Sequence, residues 1–397
     1  MLVRRTYRYR VYPTREQEAR LRRWAGAARW LWNLALEQRL MGLCRPKGEQ
    51  KFYSAIDQMN ELTPLRAEVP WLADVPRDAC NEVLRELDKA WQRCFARSAG
   101  TPRFKKRGKD EMSLCEPHFK AFRVEGETLV FPKLGPMKMV LHRPLQGRAK
   151  TCTLKRDVDA WFVSICCEVE VPEPAPSTLP AVGLDRGVIV AVADSNGQLT
   201  PNPAFGEKSK KRLARAQRAA ARKLRGSKNQ EKARLKVARL HRKTRRQREH
   251  FLQTLSHRYA KNHGVIVVED LKIANMVRSA RGTLEEPGKQ VAQKSGLNRR
   301  ILDTGWGRMI ELLVSKLRLV GGTLIKVSPA FSSQTCSVCS HVEAESRVSQ
   351  AVFVCVKCGH RDHADVNAAR VILSRRTGGV EVCGGDPVKG PLKQKLR

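Results

Sequence analysis

The sequence contains no apolar run approaching the roughly 20 residues that a membrane span requires, so no transmembrane helix is expected. Met1 is followed almost at once by Arg4 and Arg5, which leaves no secretory signal to expect either. No stretch offers the amphipathic apolar face that would lay a helix on a lipid surface, and no internal repeat is visible. Eight of the 12 cysteines, Cys44, Cys80, Cys94, Cys115, Cys152, Cys166, Cys167 and Cys383, follow no spacing rule. A disulfide scaffold is therefore not indicated, and these residues read as small core side chains of a cytoplasmic protein in a reducing compartment. Acid is scarce beside base: 39 Asp and Glu face 76 Lys and Arg, a formal net charge of +37.

A net charge of a few units keeps a protein in solution, but one of tens works against a compact state by self-repulsion unless a polyanion screens it. Nucleic acid is the partner this composition points to. At 397 residues the chain is long enough for two or three domains.

Periodicity divides the chain. The opening LVRRTYRYRVYPT alternates and is rich in Val and Tyr, which predicts a strand. Arg15 to about Leu43 switches to a helical period, with Thr14 as N-cap and Gln17 completing a capping box. A second helix is predicted over Asp78–Arg97, with Val83, Leu84, Leu87, Ala90 and Trp91 on one face. TPRFKKRGKDE is a basic loop, and Phe122–Val171 alternates in short strands like an antiparallel barrel or sandwich that the first strand could join. The proline-rich VPEPAPSTLP, Val171–Pro180, is the predicted domain boundary. Beyond it, AVGLDRGVIVAVADSNG reads as strand, turn, strand. Residues 207–249 carry 19 Lys and Arg against 3 Glu, and predict a helical hairpin broken near Gly226-Ser227. A strand over Gly264–Asp270, a loop rich in Gly, Ser and Arg, a helix over Trp306–Leu319 and a strand in GTLIKVSP follow. The tail from Thr377 is expected to be flexible.

Two cysteine pairs stand apart from the scattered ones. Cys336-x2-Cys339, then 15 residues, then Cys355-x2-Cys358 has the spacing of a four-cysteine zinc ribbon. Thiolate softness and tetrahedral geometry favour one structural Zn2+ over Mg2+ or Ca2+. With four thiolates present, His341 and His360 are surplus to the coordination.

Three acids lie where one sheet can gather them. Asp185 interrupts an apolar strand, which is costly unless a partner or a metal compensates. Glu269 ends VIVVE in the same way, and Asp365 opens the small-residue helix DVNAARVIL. Taken singly, each has an ordinary reading: a strand-ending turn for Asp185, a lysine partner for Glu269, a helix N-cap for Asp365. Together, in so basic a chain, they match hydrolysis of phosphodiesters by two Mg2+ ions about 3.5–4 Å apart. Asp194, in DSNG, reads as a hairpin turn, and Asp270 and Asp362 read as loop.

These residues resemble a known family. GLDRGV, VIVVEDLKIANM and ADVNAARVIL are similar to the three RuvC-like motifs of TnpB, the transposon-associated RNA-guided nucleases, and of the related small type V CRISPR effectors. SPAFSSQTCSVCS with CVKCG resembles their zinc ribbon. The likeness covers roughly 182–373 and extends more weakly to RYRVYPTREQ and RFKKRG near the N-terminus. Arg186, and His363-Ala364 in place of an Asp-Arg pair, depart from the pattern.

The resemblance implies a multidomain α+β and α/β protein. A wedge-like β-barrel would take its first strand from residues 1–13 and the remainder from 101–175, with a helical recognition domain, 14–100, inserted. An RNase H-like (RuvC) nuclease domain would follow over 181–332, with the basic hairpin 207–249, then a zinc ribbon, 333–360, and the last nuclease motif, 361–376, before the tail, 377–397. It implies Asp185, Glu269 and Asp365 as catalytic Mg2+ ligands. It further implies a guide RNA derived from the transposon end and a double-stranded DNA target beside a short flanking motif. Arg103, Lys105 and Lys106 in the basic loop, and Lys208, Lys211, Arg212, Arg215, Arg222, Arg245 and Arg246 in the hairpin, are the candidate nucleic-acid contacts. A guided DNA-binding regulator that does not cut and an RNA-independent transposase are the rival readings.

Overall fold

The structure, a computed structural model, describes residues 1–46, 48–283 and 285–381. The chain divides into two compact units, Met1–Pro172 and Glu173–Arg397. It is a mixed α+β protein.

The first unit opens with β1 (Leu2–Tyr12), whose alternation buries Tyr7, Tyr9 and Val11. Four helices follow: α1 (Arg15–Leu43), α2 (Ala55–Glu68), α3 (Pro70–Ala73) and α4 (Arg77–Phe95). The Thr14 hydroxyl accepts from the Gln17 N–H and the Gln17 side chain accepts from the Thr14 N–H, the reciprocal capping box that the sequence predicts. On α4, Val83, Leu84, Leu87 and Trp91 are buried against α1, and Ala90 is partly covered. Helix α2 was not expected. It carries Pro64 within it and buries only Ala55, Gln58 and Leu62, so its apolar period is too sparse to read.

Six further strands are β2 (Leu114–Glu116), β3 (Arg123–Glu125), β4 (Thr128–Phe131), β5 (Gly135–Val140), β6 (Arg148–Asp157) and β7 (Ala160–Glu170). With β1 they form one antiparallel sheet in the order β2-β6-β7-β1-β5-β4-β3. Strand β1 sits inside it, paired to β7 from Leu2↔Glu170 to Val11↔Trp161 and to β5 from Arg10↔Val140 to Tyr12↔Lys138. The first strand thus joins the later ones and the helices are an insertion between them. An antiparallel barrel or sandwich was expected, and the sheet is a half-barrel with β2 and β3 as its edges.

The second unit contains β8 (Ala181–Asp185), β9 (Val190–Asp194), β10 (Leu199–Pro201), α5 (Phe205–Ala221), α6 (Lys228–Asn262), β11 (Val265–Glu269), α7 (Ile273–Met276), α8 (Val291–Thr304), α9 (Trp306–Leu317), β12 (Thr323–Val327), β13 (Val352–Val354), β14 (Arg361–His363), α10 (Ala364–Ser374) and β15 (Val380–Glu381). Its main sheet runs β10-β9-β8-β11-β12-β15, with β8, β11 and β12 parallel and the rest antiparallel. Val182, Leu184, Ile266, Val268 and Leu324 point to one face and pack under α6 and α9 through Leu252, Leu255, Tyr259, Met309, Leu313 and Leu317. Val267 and Val327 point to the other, against Ile372 of α10. Burying a side chain of this size contributes about 1.5–3 kcal/mol.

The basic hairpin is α5 and α6, turning where Gly226 takes φ +84° and Ser227 caps α6 by accepting from the Gln230 N–H. Helix α8 lies where loop was expected. It buries little beyond Ile301 and Thr304, so its apolar stripe is faint. The predicted flexible tail begins too early: Arg375–Gly378 form a 3-10 turn and β15 pairs with β12. The remainder of that tail, with Cys383, lies outside the described residues. Among the described residues no helix is long and apolar enough to cross a membrane.

Candidate functional site

Strands β8 and β11 run parallel in the register Leu184↔Val268. One step further along each strand stand Asp185 and Glu269, the last residues of their strands. Ligands of open sheets with parallel strands gather at these carboxyl ends. Asp365 arrives from the first turn of α10, where the helix dipole favours a carboxylate. His363 caps this helix, its Nδ1 accepting from the Asp365 N–H at 3.3 Å.

Burial pushes the Asp185 carboxyl up to about 7, and the negative charges of Glu269 and Asp365 add to the rise, against the opposing pull of Arg347. Glu269 is also buried and accepts from the Ser332 hydroxyl. Like charges held together away from water carry a standing cost unless a cation joins them. Hard carboxylate oxygens in this setting fit a divalent cation such as Mg2+. Among the described residues these oxygens do not converge as tightly as the four cysteine sulfurs do.

Two arginines tend the site. Arg186 is buried, and its Nη2 donates to the backbone carbonyl of Glu269 rather than to any of the three carboxylates. Its own pKa is held down by burial, against the attraction of Glu269 and Asp185. Arg347 reaches in from the cysteine module and pairs with Asp365, Nη2 to Oδ1, at 3.3 Å. Neither Arg347 nor Ser332 could be picked out in sequence, because nothing in their local pattern marks them.

The four cysteine sulfurs all lie within 4.8 Å of one another. Cys336 Sγ is 3.7 Å from Cys358 Sγ and Cys339 Sγ is 3.6 Å from Cys355 Sγ. A tetrahedron with Zn–S near 2.3 Å has edges of about 3.8 Å, so the cluster fits one structural zinc. The two knuckles repeat one backbone pattern. Ser340 N–H donates to Cys336 O and Gly359 N–H to Cys355 O, while Cys336 N–H and Cys355 N–H donate to His341 O and His360 O. Ser340 and Gly359 hold the same place in each and both have positive φ, +58° and +71°. N–H groups of Cys358 and Lys357 aimed at the sulfur pull the Cys355 thiol down to about 6, toward the thiolate a metal needs.

The acids set aside are accounted for. Asp194 is buried in the β9–β10 turn, accepting from the N–H groups of Asn196 and Gln198 and from the Tyr259 hydroxyl. Asp270 pairs with Lys272 and Lys326. Asp362, read as loop, instead lies in β14 opposite Phe353, and its carboxylate meets Arg370 at 2.6 Å.

The basic candidates fall in two places. In the first unit, the loop bearing Arg103, Lys105 and Lys106 is pinned to α1: Trp32 Nε1 donates to Arg103 O, and Asn33 exchanges two hydrogen bonds with the Lys105 backbone. Lys105 Nζ stands 4.6 Å from the centre of the Trp32 ring, and Lys106 N–H donates to Asp110. In the second unit, Lys208, Lys211, Arg212 and Arg215 lie along α5, Arg222 at its C-cap, and Arg245 and Arg246 on α6; all seven are exposed.

Known proteins resemble this chain in sequence and in fold. The OrfB_IS605 family model, described as a probable transposase, matches residues 164–280, and the Cas12f1-like TNB domain model matches residues 306–372. A third model, described as a helix-turn-helix domain, matches residues 1–41, although these residues form β1 and most of the single helix α1. The chain is 36% identical over 395 residues to "Putative RNA-guided DNA endonuclease InsQ" of Escherichia coli K12, covering 98% of this chain and 96% of that one. It is 34% identical to a "Putative RNA-guided DNA endonuclease" of Streptomyces pristinaespiralis, covering 94% and 89%. The fold resembles that of Cas12f1 in a complex with sgRNA and target DNA, with TM-score 0.55 and 15% identity, over 94% of this chain and 98% of that one.

Proposed function

The chain belongs to the OrfB_IS605 (TnpB) family, and from that membership we propose that it is an RNA-guided DNA endonuclease. The observation that carries this reading is the set of three acids at the ends of β8 and β11 and the start of α10 in a protein of net charge +37. The strand order β10-β9-β8-β11-β12 suits an RNase H-like (RuvC) nuclease domain, and the half-barrel with its helical insertion suits a wedge and a recognition domain.

Asp185, Glu269 and Asp365 are the carboxylates that would hold a pair of Mg2+ ions. Bound there, the ions would supply an activated water and a counter-charge for the leaving oxygen in phosphodiester hydrolysis. The chain's own residues prepare this place. Ser332 fixes the Glu269 carboxylate, Arg186 holds its backbone from behind, and Arg347 compensates Asp365 until a cation or a phosphate competes for it. Cys336, Cys339, Cys355 and Cys358 would hold one Zn2+.

The guide RNA pairs with one strand of a double-stranded target beside a short flanking motif, and the protein holds the heteroduplex by its backbone charge. The exposed cations of α5 and α6 are suited to that work. Guide-loaded protein with Mg2+ should cut a matched, correctly flanked target, and Asp185→Ala should retain RNA and DNA binding while cutting stops. A guide-loaded wild type that binds but gives no product in any divalent metal would leave a non-cutting regulator. The transposase description favours one second reading, and joined or excised DNA formed without RNA would replace guided cleavage with it.

A further inference from the structure

Asn367 is fully buried, two residues beyond Asp365 on α10. Its carboxamide faces the first cysteine knuckle. Oδ1 accepts from the Ser337 N–H at 2.9 Å, and Nδ2 donates to the Thr335 carbonyl at 2.7 Å. Thr335 and Ser337 are the residues on either side of Cys336, so this one side chain brackets a sulfur ligand by its backbone. The other end of the same helix turn carries the acid. An aspartate here would present no N–H to Thr335, and an alanine would reach neither group. A buried amide with both ends used is held in one rotamer, and so is the turn of helix that bears it.

We propose that Asn367 is a positioning residue for cleavage, transmitting the order of the zinc-bound cysteine module to Asp365. This rests on the nuclease reading above. The module also reaches the acid directly through Arg347, but that contact is a charge pair on a long, partly exposed side chain. The Asn367 bridge joins backbone to helix and fixes where the turn sits. Loss of such an outer partner lowers metal affinity or activity while the ligands themselves remain.

The test uses full-length, guide-loaded protein and three variants. Asn367→Leu keeps nearly the same shape without polar atoms, and Asn367→Ala removes the bridge outright. Val371→Ala, buried one turn further along α10, weakens packing without touching the knuckle. Zinc per chain, target affinity, single-turnover cleavage rate and the Mg2+ concentration for half-maximal rate are measured for each. Both Asn367 variants should keep one zinc and bind target like wild type, while the rate falls about tenfold or more and the Mg2+ midpoint rises several-fold. Val371→Ala should leave the midpoint where it is. Asn367 variants that cut like wild type overturn the proposal. So do variants that lose zinc, or that slow with an unmoved Mg2+ midpoint, since Asn367 then only holds the fold. A wild type that does not cut sinks the nuclease reading instead.

Discussion

Adding one methyl group at Gly183 should disable the candidate site without touching any of its carboxylates. Gly183 lies on β8 two residues before Asp185, on the face that α10 covers. A Cβ built there would stand 2.1 Å from the Ala369 carbonyl oxygen, 2.8 Å from the Leu373 nitrogen and 2.9 Å from the Leu373 Cβ. Two of these three are backbone atoms of α10, so no rotamer change relieves the clash; the helix must retreat by about 1 Å or more. Overpacking costs about 1–3 kcal/mol, and contact with backbone places Gly183→Ala near the top, about 3 kcal/mol. Asp365 sits one turn from Ala369 on the helix that moves, and a misplacement of about 1 Å can cost on the order of 100-fold in rate. Single-turnover cleavage by guide-loaded protein reads the second effect, and hydrogen exchange along β8 and α10 reads the first. Gly183→Ala cutting within about twofold of wild type, with unchanged exchange on α10, would falsify the claim that this close approach places Asp365.

Other consequences can be measured. In metal-free protein the carboxyl of Asp185 binds its proton more tightly folded than unfolded, so this residue's contribution is fully present below its ordinary value of 3.8 and is lost as pH rises through about 7. The loss is roughly 4 kcal/mol, and Asp185→Asn should flatten that part of the stability profile in denaturant titrations. Gly359→Ala should weaken the cysteine module by about 1 kcal/mol and Ser340→Gly should strengthen it by a similar amount, read as resistance to zinc chelation; shifts in the same direction would contradict the shared left-handed turn. Asp362→Ala removes the partly exposed pair with Arg370, worth about 1 kcal/mol or less, together with the hydrogen bond its carboxylate accepts from the His363 N–H, and should leave cutting intact, whereas Asp365→Ala should end it.

Local chemistry was readable in the sequence where the signal is local. The Thr14 capping box, the turn at Gly226-Ser227, the buried face of α4 and the two knuckles each depend on residues a few positions apart. Helices α2 and α8 were missed because they bury one thin edge each, and period is visible only when the buried face is broad. The half-barrel was legible as strands but not as an order, since the pairing of β1 with β7 joins Leu2 to Glu170. At the candidate site the carboxylates stood out as charges in apolar strands. Their supports did not: Ser332 and Arg347 lie in ordinary polar surroundings, and Asn367 sits in a small-residue helix, and all three acquire meaning only from what the fold sets opposite them. Arg186 looked like an intruder beside Asp185 and is instead turned to the Glu269 backbone.

The third carboxylate arrives last. Asp185 and Glu269 share neighbouring strands, but Asp365 reaches them only when α10, near the end of the chain, folds back over Gly183. A ribosome has made the helical insertion, both arms of the basic hairpin and the cysteine module before the acidic set can be completed. Until then the nascent chain already carries the whole of α5 and α6 with their positive charge, and lacks Asp365. Premature termination or C-terminal proteolysis before α10 therefore yields a product that keeps the cations of α5 and α6 but lacks the third carboxylate of the candidate site.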